Sequence, residues 1–172
     1  LSFGGPNLVC IGTSATMASG GSTDEQKVEV AKVAQTIFGV PFAASQVIGE
    51  TLERATPELN FEDAPTLEAL REAITSAALP PSDYEGFRLH PLSSWIESIF
   101  GVKAEAGTGR LVRQAPRRLR GEPLQGVESA AEELAGLTST DSGACEKVLR
   151  SFLLAGSDLY KSPSSRFPIF AF

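Results

Sequence analysis

The stretch Leu8-Val9-Cys10-Ile11-Gly12-Thr13-Ser14-Ala15-Thr16-Met17 decides how the rest of the chain is read. Leu8 to Ile11 form an unbroken apolar run between the turn-forming Gly5-Pro6 and Gly12. Such a run predicts a strand buried on both faces. Strands of that kind belong to parallel sheets with helices on either side. In open α/β sheets, ligand chemistry collects at the carboxyl ends of the strands. Thr13, Ser14 and Thr16 stand at that end and bring three hydroxyls to it.

Beyond Thr16, Gly20-Gly21 form a connection, and Ser22 with Glu25 has the spacing of a capping box, in which each side chain satisfies an orphan donor at a helix start. The predicted helix carries Val30, Val33, Ala34, Ile37 and Phe38 as an apolar stripe. Gly39 stops it, and Pro41 bars continuation. Ala44 to Leu52, with Val47, Ile48 and Leu52, reads as a further short strand.

Ser14-Ala15-Thr16, directly after an apolar strand, resembles motif III of superfamily-two helicases of the DEAD/DEAH-box type. The order Ile37-Phe38-Gly39, Val47-Ile48-Gly49-Glu50-Thr51 and Arg54 resembles a bacterial branch of that family with a helical insertion between its two motor lobes. Phe167 to Phe172 resembles the lead-in to the second lobe. The likeness spans most of the chain loosely and is carried by residues 7–17 and 47–54. It implies a fragment in three parts. Residues 1–56 would end a first RecA-like lobe, 57–160 would form a mostly helical insertion, and 161–172 would be a linker opening the second lobe. The expected fold class is α+β, mostly helical, with a small β-hairpin in the insertion.

The resemblance assigns Ser14 and Thr16 a coupling role, linking nucleotide state to the nucleic-acid track. It gives Thr13, Glu50 and Arg54 no equally firm role. A motor also needs a phosphate cradle of the G-x-x-x-x-G-K-[ST] type and an acidic magnesium motif. Neither occurs here, because Gly4-Gly5 and Gly20-Gly21 have no lysine at the right distance. ATP and magnesium are therefore expected in the longer parent, with no cofactor in this chain, which alone should not hydrolyse ATP. The implied partners are nucleic acid, DNA ahead of RNA, and the remaining lobes in cis. The chain opens on Leu1, which fits a cut piece.

Composition bounds these readings. A length of 172 residues suits one domain and is too short for a two-lobe motor. With 42% apolar and 21% charged residues the chain can build a core. The net charge of −6 excludes whole-surface attraction to nucleic acid, so any such contact needs a local patch. No apolar run approaches the roughly 18 residues of a membrane span. Cys10 and Cys145 lack metal spacing and read as small core hydrophobes, consistent with a reducing cytoplasm. His90 is the only histidine, which argues against a zinc site. It also leaves Ser14 no better base than His90, and Ser14 lacks a nucleophile elbow.

In the insertion, Pro57 to Pro65 with Glu58, Glu62 and Asp63 marks a connection. Thr66 is expected to cap a helix bearing Leu67, Leu70, Ala73, Ile74 and Ala77, ended by Pro80-Pro81. Asp83 and Glu85 read as solvated loop carboxylates. Pro91 opens a helix with Leu92, Trp95, Ile96, Ile99 and Phe100 inward, closed by Gly101. Trp95, on that stripe, reads as a core anchor before a base-stacking platform.

Two more helices are expected, one with Val127, Ala130, Ala131, Leu134 and Leu137, stopped at Gly136 and Thr138-Ser139-Thr140. The other is capped by Asp141 or Ser142, carries Cys145, Val148, Leu149, Phe152 and Leu153, and ends at Gly156. Ser157 to Ser165 reads as a linker. The apolar tail Phe167 to Phe172 should dock on this domain or on further sequence.

Between Gly107 and Gly121 lie Arg110, Arg113, Arg117, Arg118 and Arg120, in a pair of short strands or an extended arm. Arginine suits phosphate because its planar fork offers bidentate donors that stay charged. These five are candidate nucleic-acid contacts. The competing reading is a basic face paired with acidic helices at Glu128, Glu132 and Glu133. A different class of protein is also open: a helical or winged-helix-like interaction module, with the arginine hairpin as its wing.

Overall fold

The computed structural model describes residues 11–12, 23–49, 52–105, 107, 109–161 and 168–170. The chain divides into two compact units, Leu1–Thr51 and Leu52–Phe172.

In the first unit, helix α1 spans Thr23–Phe38, with Asp24 and Glu25 in its first turn, where carboxylates complement the helix dipole. Gly39 comes next with φ 68°, a left-handed terminator. The apolar stripe is only partly covered. Ala31 is buried and Val30, Ala34 and Phe38 are half-buried, whereas Val33 is 57% and Ile37 70% exposed. Phe38 packs on Phe42, ring centroids 5.8 Å apart.

Two strand expectations change here. Leu8 to Cys10 lie outside the described residues, while Ile11 is irregular and 81% exposed instead of buried. Ala44–Gln46 is a 3-10 turn where the sequence predicts a strand. The Gln46 amide oxygen accepts from Ala43 N (2.7 Å), and Val47 N donates to Ala44 O (3.1 Å). That local closure competes with extended pairing, and Ile48 is left 96% exposed.

The second unit is mostly helical, with a two-stranded antiparallel sheet. Helix α2, Ala64–Thr75, is capped by Asp63 and not by Thr66: the Asp63 carboxylate accepts from Thr66 N at 3.1 Å, and Pro65 occupies the first turn. It stops well before Pro80-Pro81, because Ala77 turns to φ 49°. Ala77 is consequently exposed, while Leu70, Ala73 and Ile74 face the core.

Helix α3, Tyr84–Leu89, occupies what reads in sequence as a loop. Asp83 is its cap, accepting from Gly86 N at 2.7 Å, and Glu85 pairs with Arg88 at 2.9 Å. Its inward residue, Phe87, is completely buried.

Helix α4, Pro91–Ile96, runs directly into a π-helical turn, Glu97–Gly101. Leu92, Ser93, Ser94, Trp95, Ile96 and Glu97 are all buried, so α4 is covered on every side and is the centre of the unit. Strand β1, Val102–Ala104, then pairs antiparallel with β2, Leu111–Arg113, with Lys103 opposite Val112.

Helix α5, Ala130–Thr138, starts at the Ser129 cap and runs through Gly136. It ends where Ser139 takes φ 55°, so the terminator is one side-chain-bearing residue in the left-handed region and not the glycine. Helix α6, Ser142–Asp158, is capped by Asp141, which accepts from Ala144 N at 2.9 Å. It continues past Gly156.

Leu70, Ile74, Phe87, Leu92, Trp95, Ile96, Ala130, Ala131, Leu134, Cys145, Val148, Leu149, Phe152 and Phe170 form one core. Trp95 and Cys145 thus take the core places expected of them; Cys10 lies outside the described residues.

Phe170 explains the role of Gly156. Ile169 N donates to Leu159 O (2.8 Å) and Phe170 N to Gly156 O (3.0 Å), so the segment 168–170 lies along the end of α6. A Cβ at position 156 would overlap the Phe170 ring, with Cε2 at 2.8 Å and Cγ at 3.0 Å. The glycine is a notch for an aromatic ring, and residues 168–170 of the apolar tail dock on this domain.

Candidate functional site

Ser14 and Thr16, with Thr13 and Glu50, lie outside the described residues. The arginine stretch is described and has a definite local logic. After β2, Gln114 N donates to Gly101 O (2.9 Å) and the Gln114 side chain donates to Ser98 O, anchoring the chain beside the π turn. Residues 117–120 are irregular. The carbonyls of Arg118 and Leu119 accept from Ala130 N (3.0 Å) and Ala131 N (2.9 Å), satisfying donors in the first turn of α5 that have no partner within the helix. Leu119 packs against the core. The backbone here caps a helix, which accounts for the order in a stretch that sequence alone reads as a bare basic arm.

Its side chains are largely engaged within the domain. Arg117 pairs with Glu133, and Arg120 pairs with Glu146 at 3.1 Å. Glu146 also holds Arg150 at 2.8 Å, and the Arg150 and Arg120 contacts hold its carboxyl below the usual glutamate range. Arg118 reaches Glu122 O at 3.4 Å. Arg113, Arg118 and Arg120 are nevertheless exposed. The exposed pairs Glu146 makes with Arg120 and Arg150 are weak, being screened by solvent, so a phosphate could replace that carboxylate at small expense in stability.

The most elaborate polar site is one that motif reading missed. Arg54 and Glu97 are buried together, with side chains 12% and 8% exposed and a nitrogen-to-oxygen distance of 3.7 Å. Glu97 accepts from Ala55 N (2.7 Å), Thr56 N (2.8 Å) and Thr56 Oγ1 (2.6 Å). Arg54 donates to Ser98 Oγ (3.0 Å), Ser94 O (3.3 Å) and Val102 O (3.3 Å). Ser94 Oγ donates to Pro57 O at 2.5 Å. The segment where the chain enters the second unit is thereby bolted to the α4–π junction. One signal was present in sequence: Glu97 is the single charged residue between Pro91 and Val102, in an otherwise apolar or hydroxyl-bearing run. An acid in such a run needs a buried partner.

His90 has a structural task. Its Nδ1 accepts from Leu92 N at 3.1 Å, capping α4, and its ring lies 4.8 Å from that of Phe152. Burial lowers its pKa below 6.5. The cap requires the unprotonated nitrogen, so the folded state resists a proton that the unfolded chain accepts. Stability is therefore full above about pH 6.5 and declines as pH falls from there toward the folded-state pKa. Urea midpoints measured between pH 7.5 and 5 should show this decline, and His90→Asn, which caps without titrating, should flatten the His90 contribution.

Burial likewise raises the pKa of Cys145, whose Sγ lies 3.2 Å from Thr140 Oγ1, so it is a structural thiol and not a nucleophile. Among the described residues no cluster of His, Cys, Asp or Glu could hold a metal ion. No helix among them is long and apolar enough to cross a membrane.

Fold and site together define a mostly helical α+β protein whose larger unit packs around α4 and is secured at its entry by a largely buried arginine–glutamate bolt. No protein-family model, curated protein or solved structure matches the chain.

Proposed function

We propose that the chain is part of an ATP-dependent nucleic-acid helicase, comprising the end of the first RecA-like lobe and a helical insertion ahead of the second. The observation that carries this reading is Ser14-Ala15-Thr16 at the end of an apolar run, with helix α1 after it. The uncovered apolar residues of the first unit support it: Ile11, Val28, Val33, Ile37, Val40 and Ile48 are all exposed. A piece of a layered α/β lobe leaves such residues bare when its neighbouring strands are elsewhere. An autonomous helical or winged-helix-like module, the alternative, has no use for them.

On this reading Ser14 and Thr16 couple nucleotide turnover to strand separation. ATP and magnesium are held by residues outside this chain. Arg110, Arg113, Arg118 and Arg120 are the arginines whose exposure best suits a DNA phosphate track, with the half-buried Arg117 among them.

The test uses the longer protein that the reading implies. Ser14→Ala with Thr16→Ala should retain DNA-stimulated ATP turnover and lose unwinding by about tenfold or more. Replacing Arg117, Arg118 and Arg120 with alanine should weaken DNA binding and flatten its salt dependence, since each lost phosphate contact removes a released counterion. A parent without ATP-dependent unwinding, or with unwinding indifferent to Ser14 and Thr16, overturns the helicase reading in favour of the interaction module. DNA affinity unchanged by the arginine substitutions removes the phosphate track alone.

A further inference from the structure

The second unit is tied down at both points where the chain enters and leaves its core. On the way in, the main chain of Ala55 and Thr56 is held by the Glu97 carboxylate, and Pro57 by Ser94. On the way out, Ile169 and Phe170 are held by the carbonyls of Leu159 and Gly156. Neither segment belongs to a helix or strand. Without these ties each would move independently of the core, as chain ends ordinarily do.

Both ties converge on the same packed elements. Glu97 continues α4, whose Trp95 and Ile96 lie in the core with Leu149 and Phe152 of α6. The Phe170 ring meets Phe87 edge-on, centroids 5.5 Å apart, and Phe87 lies 5.6 Å from Phe152. The route from Thr56 to Phe170 therefore passes through buried side chains alone. Packed interiors transmit displacement because they hold few voids and resist compression.

We infer that the second unit is a rigid link, in which the incoming segment 55–57 and the outgoing segment 169–170 are latched in fixed relation for as long as the core is folded. A displacement applied at the incoming latch is then carried to the outgoing one without a slack joint between them. The inference rests on the proposed function only for the identity of the flanking parts, the two motor lobes.

Hydrogen exchange on the wild-type chain tests the link without any substitution. If both latches open only with the core, the amides of Ala55, Thr56, Ile169 and Phe170 exchange within about tenfold of those of Leu149 and Phe152. A wider gap at either latch means that it opens locally, and overturns the inference. The measurement reads this chain alone. Its failure leaves the helicase reading untouched, and failure of the helicase reading leaves the latch result standing.

Discussion

Glu97→Ala is expected to lower the free energy of unfolding by about 3–5 kcal/mol, the range for breaking a buried ion pair from one side. The substitution leaves Ala55 N, Thr56 N and Thr56 Oγ1 without their acceptor and strands the Arg54 guanidinium in a largely buried position. Arg54→Met should cost less, about 1–3 kcal/mol. Glu97 then keeps its three donors, while the lost contacts are with the Ser98 hydroxyl and with carbonyls that tolerate one partner fewer. Urea titration monitored by Trp95 fluorescence compares the two. Equal effects, or the reverse order, would mean that the charge pair and not the main-chain latch dominates. Replacing both residues with apolar ones should not restore stability, because the main-chain donors of Ala55 and Thr56 remain unpaired.

Gly156→Ala is expected to destabilise by about 0.5–2 kcal/mol, the loss of ring burial outweighing the propensity gain of about 1 kcal/mol for removing a glycine from a helix interior. The outcome is decided by the Phe170 ring, which occupies the space the new methyl group needs. Either the ring leaves, exposing Phe87 and forfeiting about 1.5–3 kcal/mol of burial, or the backbone shifts. Calorimetry of this variant beside Phe170→Ala separates the two causes. If expulsion of the ring is responsible, the double variant is no less stable than Phe170→Ala alone. A lone Gly156→Ala that raises the melting temperature would show that the strap does not rest in the notch.

These two expectations could not have been drawn from local sequence. Glycine near the end of a predicted helix reads as a terminator, since C-terminal glycines usually are. Only the return of Phe170, from beyond the end of α6, makes Gly156 a packing surface. Likewise, Asp83 and Glu85 beside Pro80-Pro81 read as solvated loop residues. The short helix they begin has too few residues to show a period, and it exists because Phe87 has a core to enter. The strand expected at Ala44 to Leu52 failed for the converse reason. Val47, Ile48 and Leu52 supply strand propensity, but among the described residues nothing pairs with them, and Gln46 closes a local turn instead.

Features that depend on near neighbours were legible in the chain itself. Of the two caps the sequence offers for α6, Asp141 and Ser142, Asp141 takes the role through a bond three positions on. Asp63 and Ser129 cap their helices by the same bond, although the sequence reading puts the first cap at Thr66 and names none for α5. The stripes Leu70-Ala73-Ile74, Leu92-Trp95-Ile96 and Cys145-Val148-Leu149-Phe152 mark inward faces that the core respects. Those are short-range effects, fixed by helical geometry and by capping chemistry. The pairing of Arg117 with Glu133 is one of the two readings the sequence leaves open, but long-range packing was needed for the bolt between Arg54 and Glu97, the seat of Phe170 on Gly156 and the engagement of Arg120 by Glu146 on α6. Each joins residues separated in the chain, and a carboxylate or an arginine carries no mark of its partner until packing removes the water between them.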